Sequence, residues 1–186
     1  MDTYRPLKSP HTALLVIDFQ ERLFPAMQPE LSTATLKNTQ ILIKSALILS
    51  LPIFVSEQYP KGLGPTCPEI KDLLKPFTAY EKITFSCMDQ PELAGKMEEQ
   101  QIRNVLVCGM ETHVCVYQTV LDLLNKSIYP FVPADALCSR SIFNHQTGLQ
   151  LMCDAGAVVG STETFLFQLL EKAGSPEFKE ISKLVK

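Results

Sequence analysis

Short apolar runs alternate along the chain with longer stretches in which apolar residues recur every third or fourth position. Residues 13–17 are apolar without a break, and the run stops at Asp18. Residues 53–55 and 105–108 look the same. Such runs suit parallel strands buried on both faces, whereas half-exposed strands alternate polar and apolar residues. Further extended stretches are predicted at 80–85, 127–133 and 157–159. Helical patterns cover 33–50, closed by Pro52, and 91–100, opened by Pro91. They return at 144–154 and 162–172, with a shorter helix at 68–74. Residues 20–29 and 59–65 read as loops, the second dense in turn formers, and the chain beyond Gly174 reads as a solvated arm or a short extra helix. Strands thus alternate with helices. That pattern predicts an α/β fold of three layers, α/β/α, with a mostly parallel, Rossmann-like central sheet. Ligands of such sheets bind beyond the carboxyl ends of the strands, near the switch point. Asp18 and Cys115 both fall just past strand ends, so they are expected on one edge.

The densest chemistry lies in residues 104–126. An apolar strand is stopped by Gly109, and from Val114 the apolar residues recur at 114, 117, 121 and 124. Strand, tight turn and helix follow one another, with Cys115 in the first helical turn. There free N–H groups and the helix dipole favour negative charge, which helps a thiol lose its proton and can hold an oxyanion. The competing reading is a cysteine that serves as a small buried hydrophobe.

Composition narrows the class. The chain has 186 residues, 46% hydrophobic and 20% charged, which suits a single domain over 1–186 with a core over about 10–172. The net charge of −3 comes without a basic block, which argues against a dedicated nucleic-acid surface. The six cysteines include no C-x-x-C pair, so zinc ribbons and thioredoxin-like sites are disfavoured and free thiols in a reducing compartment are expected. The three histidines do not cluster, which leaves no histidine-rich metal site. Gly62 and Gly64 form only a fragment of a phosphate loop. No apolar run is long enough to span a membrane, and the amino-terminal residues carry no apolar targeting segment. A cytoplasmic location is expected, with an organelle as the alternative.

Three stretches carry a resemblance. Leu-Leu-Val-Ile-Asp18-Phe-Gln, Lys82-Ile-Thr-Phe-Ser86 and Gly109-Met-Glu-Thr-His-Val-Cys115-Val resemble the signatures of the isochorismatase-like cysteine hydrolases, over about residues 10–170. The resemblance implies a triad: Asp18 takes the thiol proton, Lys82 lowers the thiol pKa and steadies charge, and Cys115 attacks a carbonyl carbon. An ammonium and a helix N-terminus both stabilise a thiolate, so the physics agrees. It also implies a cis peptide between Met110 and Glu111, with the backbone N–H groups of Glu111 and Cys115 facing the substrate. The expected reaction is cleavage of a C–N bond in a small amide, carbamoyl or ureido compound through a thioester. Phe19, Gln20, Phe24, Tyr59 and Phe85 are the expected pocket residues. Cys115 is expected to be the most reactive thiol. His113 and His145 are disfavoured as its base.

Relatives that cleave a vinyl ether lack the cysteine, so that chemistry is disfavoured. Nicotinamidases of the family hold a metal after the second strand. Here Ser56-Glu-Gln58-Tyr has no histidine nearby, and Glu57 is the one carboxylate that could bind a cation weakly. No metal and no cofactor are therefore expected. The partners expected are a small-molecule substrate and further copies of the chain in a homo-oligomer, with no membrane and no nucleic acid. The alternatives are a non-enzymatic oligomeric binding or scaffold relative and a nuclease-associated protein.

Overall fold

A computed structural model describes residues 7–186; residues 1–6, where the absence of a targeting segment was expected, lie outside the described residues. The first apolar run forms β1 (Thr12–Ile17), all of it buried. Its odd residues, Ala13, Leu15 and Ile17, enter one core, and its even residues, Leu14 and Val16, enter another. That split is what a strand period of two does when both faces are covered. Helix α1 (Pro29–Ile48) then leads to β2 (Ile53–Gln58), the short helices α2 (Pro60–Leu63) and α3 (Pro68–Lys71), and β3 (Tyr80–Lys82). Helix α4 (Pro91–Glu99) leads to β4 (Asn104–Met110). A π-turn over Thr112–Val116 opens α5 (Tyr117–Asn125), and β5 (Tyr129–Pro133) follows. The rest is β6 (Leu137–Cys138), α6 (Ile142–Asp154), β7 (Val158–Gly160), α7 (Thr162–Leu170) and α8 (Pro176–Leu184). The segment beyond Gly174 is therefore the extra helix of the two expected forms.

The strands make one seven-stranded parallel sheet in the order β3-β2-β1-β4-β5-β7, with β6 paired to the end of β4. The sheet grows outward from β1 in one direction through β3, then restarts with β4 on the other side of β1. The buried residues of α1, α7 and α8 join the core with Leu14 and Val16, while those of α4, α5 and α6 join the core with Leu15 and Ile17. A change of direction in the sheet with helices on opposite faces is what right-handed crossovers require. The switch point is the crevice between β1 and β4. The expected three-layer fold is present, and the sheet is parallel throughout.

Residues 60–63, expected within a loop, form α2, and the buried face of α5 also differs from expectation. The stripe of Val114, Tyr117, Leu121 and Leu124 is only half-buried, and the deep stripe of this helix is Val116, Val120 and Leu123. The period was legible, but the phase was set by the π-turn before it. The short strand β6 carries too few residues to show a pattern at all. Among the described residues no helix is long and apolar enough to cross a membrane.

Candidate active site

Three neighbouring strands deliver polar side chains to the carboxyl edge. Register pairs Ile17 with Ser56, and Gln58 with Lys82, so Asp18, Ser56, Gln58 and Lys82 arrive at one level. Asp18 has φ 54, in the left-handed region. Aspartate tolerates that conformation better than branched residues do. The kink breaks the strand's alternation. It aims the carboxylate along the edge, and it sends Phe19 into the core shared with Leu14 and Val16.

The Asp18 carboxylate is fully buried and well supplied with donors. Lys82 Nζ donates to Oδ2 at 2.7 Å, and Ser56 Oγ donates to Oδ1 at 2.7 Å. The charge of Asp18 also acts on the Cys115 thiol. Lys82 makes a second bond, to Gln58 Oε1 at 2.7 Å. The structure thus brings Asp18, Lys82 and Cys115 together at the switch point. Burial pulls the Lys82 pKa down, but the charge of Asp18 outweighs it with help from Cys87, Cys115 and the hydrogen bond, so the net shift is upward.

Cys115 departs from its expected state. Burial pushes its thiol up, the Asp18 charge pushes the same way, and Lys82 only partly opposes them. Burial and Asp18 both push the resting thiol toward its protonated form, against the thiolate that the lysine and the helix end favour. The turn that carries it is a π-turn, with Val114 and Val116 N–H groups both donating to the Glu111 carbonyl, at 3.0 and 3.2 Å. Single π-turns of this kind recur at functional sites. Thr119 ties this turn to the strand side: its hydroxyl donates to the Cys115 carbonyl at 2.6 Å and accepts the Cys87 N–H at 3.0 Å.

The Met110–Glu111 peptide is cis, as the resemblance implied. The Glu111 carboxylate accepts from the backbone N–H of Arg140 at 3.0 Å and from its Nε at 3.0 and 3.1 Å, which pins the start of the turn. His113 and His145 are engaged elsewhere, with Ser139 at 3.1 Å and Thr112 at 2.9 Å.

The expected pocket residues separate. Phe19 is a correction: it is wholly buried and packs on Phe24, ring centroids 5.5 Å apart, so it fills core rather than lining an open cavity. Gln20 is also buried, and its amide is spent on the Gln58 backbone and the Gly64 carbonyl. It splices the loop after β1 to the end of β2. Tyr59 and Phe85 are half-exposed, and Tyr59 donates its backbone N–H to the Lys82 carbonyl at 2.8 Å. Glu57, considered as a weak cation ligand, is instead occupied by the N–H and hydroxyl of Thr66, both at 2.7 Å. Among the described residues no group of three or more His, Cys, Asp or Glu is arranged to hold a metal ion. A cavity of about 540 Å³ lies along α4, with Arg103 and Lys126 on its lining, and none of Asp18, Lys82 and Cys115 borders it.

Sequence reasoning missed Ser56 and Gln58. The available signal was the run of consecutive polar residues, Ser56-Glu57-Gln58, just where the apolar run of β2 ends.

Comparison with known proteins follows the same lines. The isochorismatase domain model matches residues 12–164. The chain belongs to the isochorismatase family. At the family level these proteins are hydrolases. Isochorismatase domain-containing protein 2 of Bos taurus is 42% identical over 147 residues, covering 78% of this chain and 70% of the relative. The secreted isochorismatase effector Isc1 of Phytophthora sojae is 36% identical over 182 residues, covering 95% and 86%. Among solved isochorismatase-fold structures, the MAR1 ribonuclease of Caenorhabditis elegans is 34% identical with a TM-score of 0.90, covering 97% of this chain and 92% of that one.

Proposed function

We propose that this isochorismatase-family chain hydrolyses a C–N bond of a small amide, carbamoyl or ureido compound through a thioester on Cys115. One observation supports the reading: the Cys115 thiol lies within electrostatic reach of a buried carboxylate that is itself ion-paired to a buried lysine. The steps follow from those contacts. The Cys115 sulfur attacks the carbonyl carbon while its proton passes to Asp18. The carbonyl oxygen becomes an oxyanion, held by the N–H groups of Glu111 and Cys115 and by the charge of Lys82. The C–N bond breaks, and Asp18 returns the proton to the leaving nitrogen. Water then attacks the thioester, with Asp18 taking one of its protons. The C–S bond breaks and the thiol is restored. Half-exposed Tyr59, whose backbone N–H donates to the Lys82 carbonyl, and half-exposed Phe85, close to Lys82 in the chain, are the candidates to contact the substrate.

The test is a screen of purified protein over small amides, carbamoyl compounds and imides. Turnover abolished by Cys115→Ala is expected. Turnover that survives Cys115→Ala would sink the thioester reading. The relative named a ribonuclease supports a second reading, cleavage of RNA. RNA belongs in the same screen, where cleavage indifferent to Cys115→Ala would favour that reading.

A further inference from the structure

Gln58 is two residues along β2 from Ser56, so both side chains leave the same face of the strand. Each serves one half of the buried ion pair. Ser56 holds Asp18, and Gln58 holds Lys82. The orientation of the Gln58 amide is determined by its other contact. Its Nε2 donates to the Ile83 carbonyl at 2.6 Å. A carbonyl only accepts, so the NH2 must face Ile83 and the amide oxygen must face the lysine. The opposite flip would set NH2 against an ammonium and oxygen against oxygen. The backbone of Gln58 is fixed as well, by both polar atoms of the Gln20 amide at 2.8 and 3.0 Å. Gln58 is thus a built-in acceptor with a single orientation.

An ammonium has three N–H donors. In Lys82 one goes to Asp18 Oδ2 and one to Gln58 Oε1, which leaves the third for the reacting centre. The other groups that act on this ammonium are the thiols of Cys87 and Cys115. The proposed reaction disturbs this balance, because Asp18 loses its charge when it takes the thiol proton. The counter-charge then sits on the reacting sulfur or oxygen, and a flexible lysine would drift with it. Gln58, being neutral and fixed, keeps its hold through that step.

Resting on the reading that Asp18 receives the Cys115 proton, we propose that Gln58 is a positioning residue that keeps the Lys82 ammonium charged and aimed while Asp18 is protonated. It acts through Lys82 and need not touch the substrate.

The experiment compares Gln58→Met, which removes the acceptor, with Gln58→Glu, which keeps an acceptor oxygen and adds charge. Lysine labelled with ¹³C at Cε in the full-length chain reports the charge of Lys82, whose resonance is identified by its loss in Lys82→Arg. p-Nitrophenyl acetate is the acyl-donor probe. In Gln58→Met the Lys82 titration midpoint should fall by about one pH unit or more, and Cys115 acylation should slow about tenfold, the free-energy equivalent of one unit. The alkaline limb of the rate should move down with the midpoint. In Gln58→Glu the midpoint should stay at or above the wild-type value and the limb should not move down. Opposite responses at one position are not what general structural damage produces. A Lys82 midpoint unchanged in folded Gln58→Met, or lowered in both variants, overturns the inference. Failure of the thioester reading is separate: it would show as p-nitrophenol release undiminished by Cys115→Ala, whatever Gln58 does.

Discussion

At Cys115, burial and negative charge oppose the lysine, and burial wins. The Lys82 ammonium and the start of a helix are both legible in the chain, and both favour a thiolate. Desolvation by the packed core and the nearness of the Asp18 carboxylate are not legible, and they push the thiol the other way. Asp18, the proposed proton acceptor, already accepts from Lys82 and Ser56. Proton transfer and C–S bond formation should therefore be coupled, with no thiolate accumulating first. Ultraviolet difference spectra between wild type and Cys115→Ala should show no thiolate at neutral pH, and a thiolate band there would contradict this. Iodoacetamide should label Cys153 first, because it is the exposed thiol among six free cysteines. That reverses the expectation that Cys115 would lead. Lys82→Ala should slow Cys115 labelling further, because the lysine is the group that lowers this thiol.

The elements that carry the site depend on close approaches of backbone. Gly109 has φ +119, and a Cβ there would lie 2.0 Å from the Ile17 carbonyl oxygen, so β4 can meet the end of β1 only with glycine at this position. Gly148 lets α6 press against the π-turn, where an added Cβ would sit 3.0 Å from His113 Cα, His113 N and the Thr112 carbonyl oxygen. Backbone cannot yield as a flexible side chain does. Gly148→Ala should cost about 1–3 kcal/mol by overpacking, and it should lower kcat because the displaced turn bears Cys115. Urea unfolding and turnover measure the two effects. Gly95→Ala in α4 is the control, since a Cβ there meets nothing within 4 Å and alanine is the better helix former. Loss of stability in Gly95→Ala and none in Gly148→Ala would refute the packing account. The helix and strand at this place were legible from periodicity. The π-turn between them was not, because one extra residue in a turn leaves no trace in an apolar pattern.

Across the molecule, buried thiols couple folding to pH. Burial pushes Cys87 up to about 11, and Cys108 and Cys138 to about 12, from an ordinary value of 9.0. Lys82 is also raised. The sign is the same for all four groups. Above the unfolded values the unfolded chain has lost protons that the native state still holds, so stability falls as pH rises. For the thiols the loss begins near pH 9 and ends near pH 11 to 12. Each contributes up to about 1.4 kcal/mol per pH unit within its window. The melting temperature should therefore drop steadily above pH 9, and Cys108→Ala should make the drop shallower. A melting temperature that stays flat between about pH 9 and 11 would show that the thiols are not the cause.

The alternation of the main strands and helices, the mostly parallel sheet, and Asp18 and Cys115 at its carboxyl edge were legible in the sequence alone, whereas β6 and α2 were not. Fully apolar runs exclude one-sided strands, and alternating strands and helices confine every strand end to one edge, so Asp18 and Cys115 had to share it. The family signatures then added Lys82. Tertiary structure decided what those residues meet. Asp18, the β2 pair Ser56 and Gln58, Lys82 and Cys115 come from four separate stretches of the chain, and no local pattern states that their side chains converge. The left-handed turn at Asp18 sent Phe19 into the core, against its expected place in the pocket. The upward push on the Cys115 thiol comes from burial and from a carboxylate distant in the chain. Periodicity is a property of neighbours along the chain, whereas desolvation and charge depend on neighbours in space.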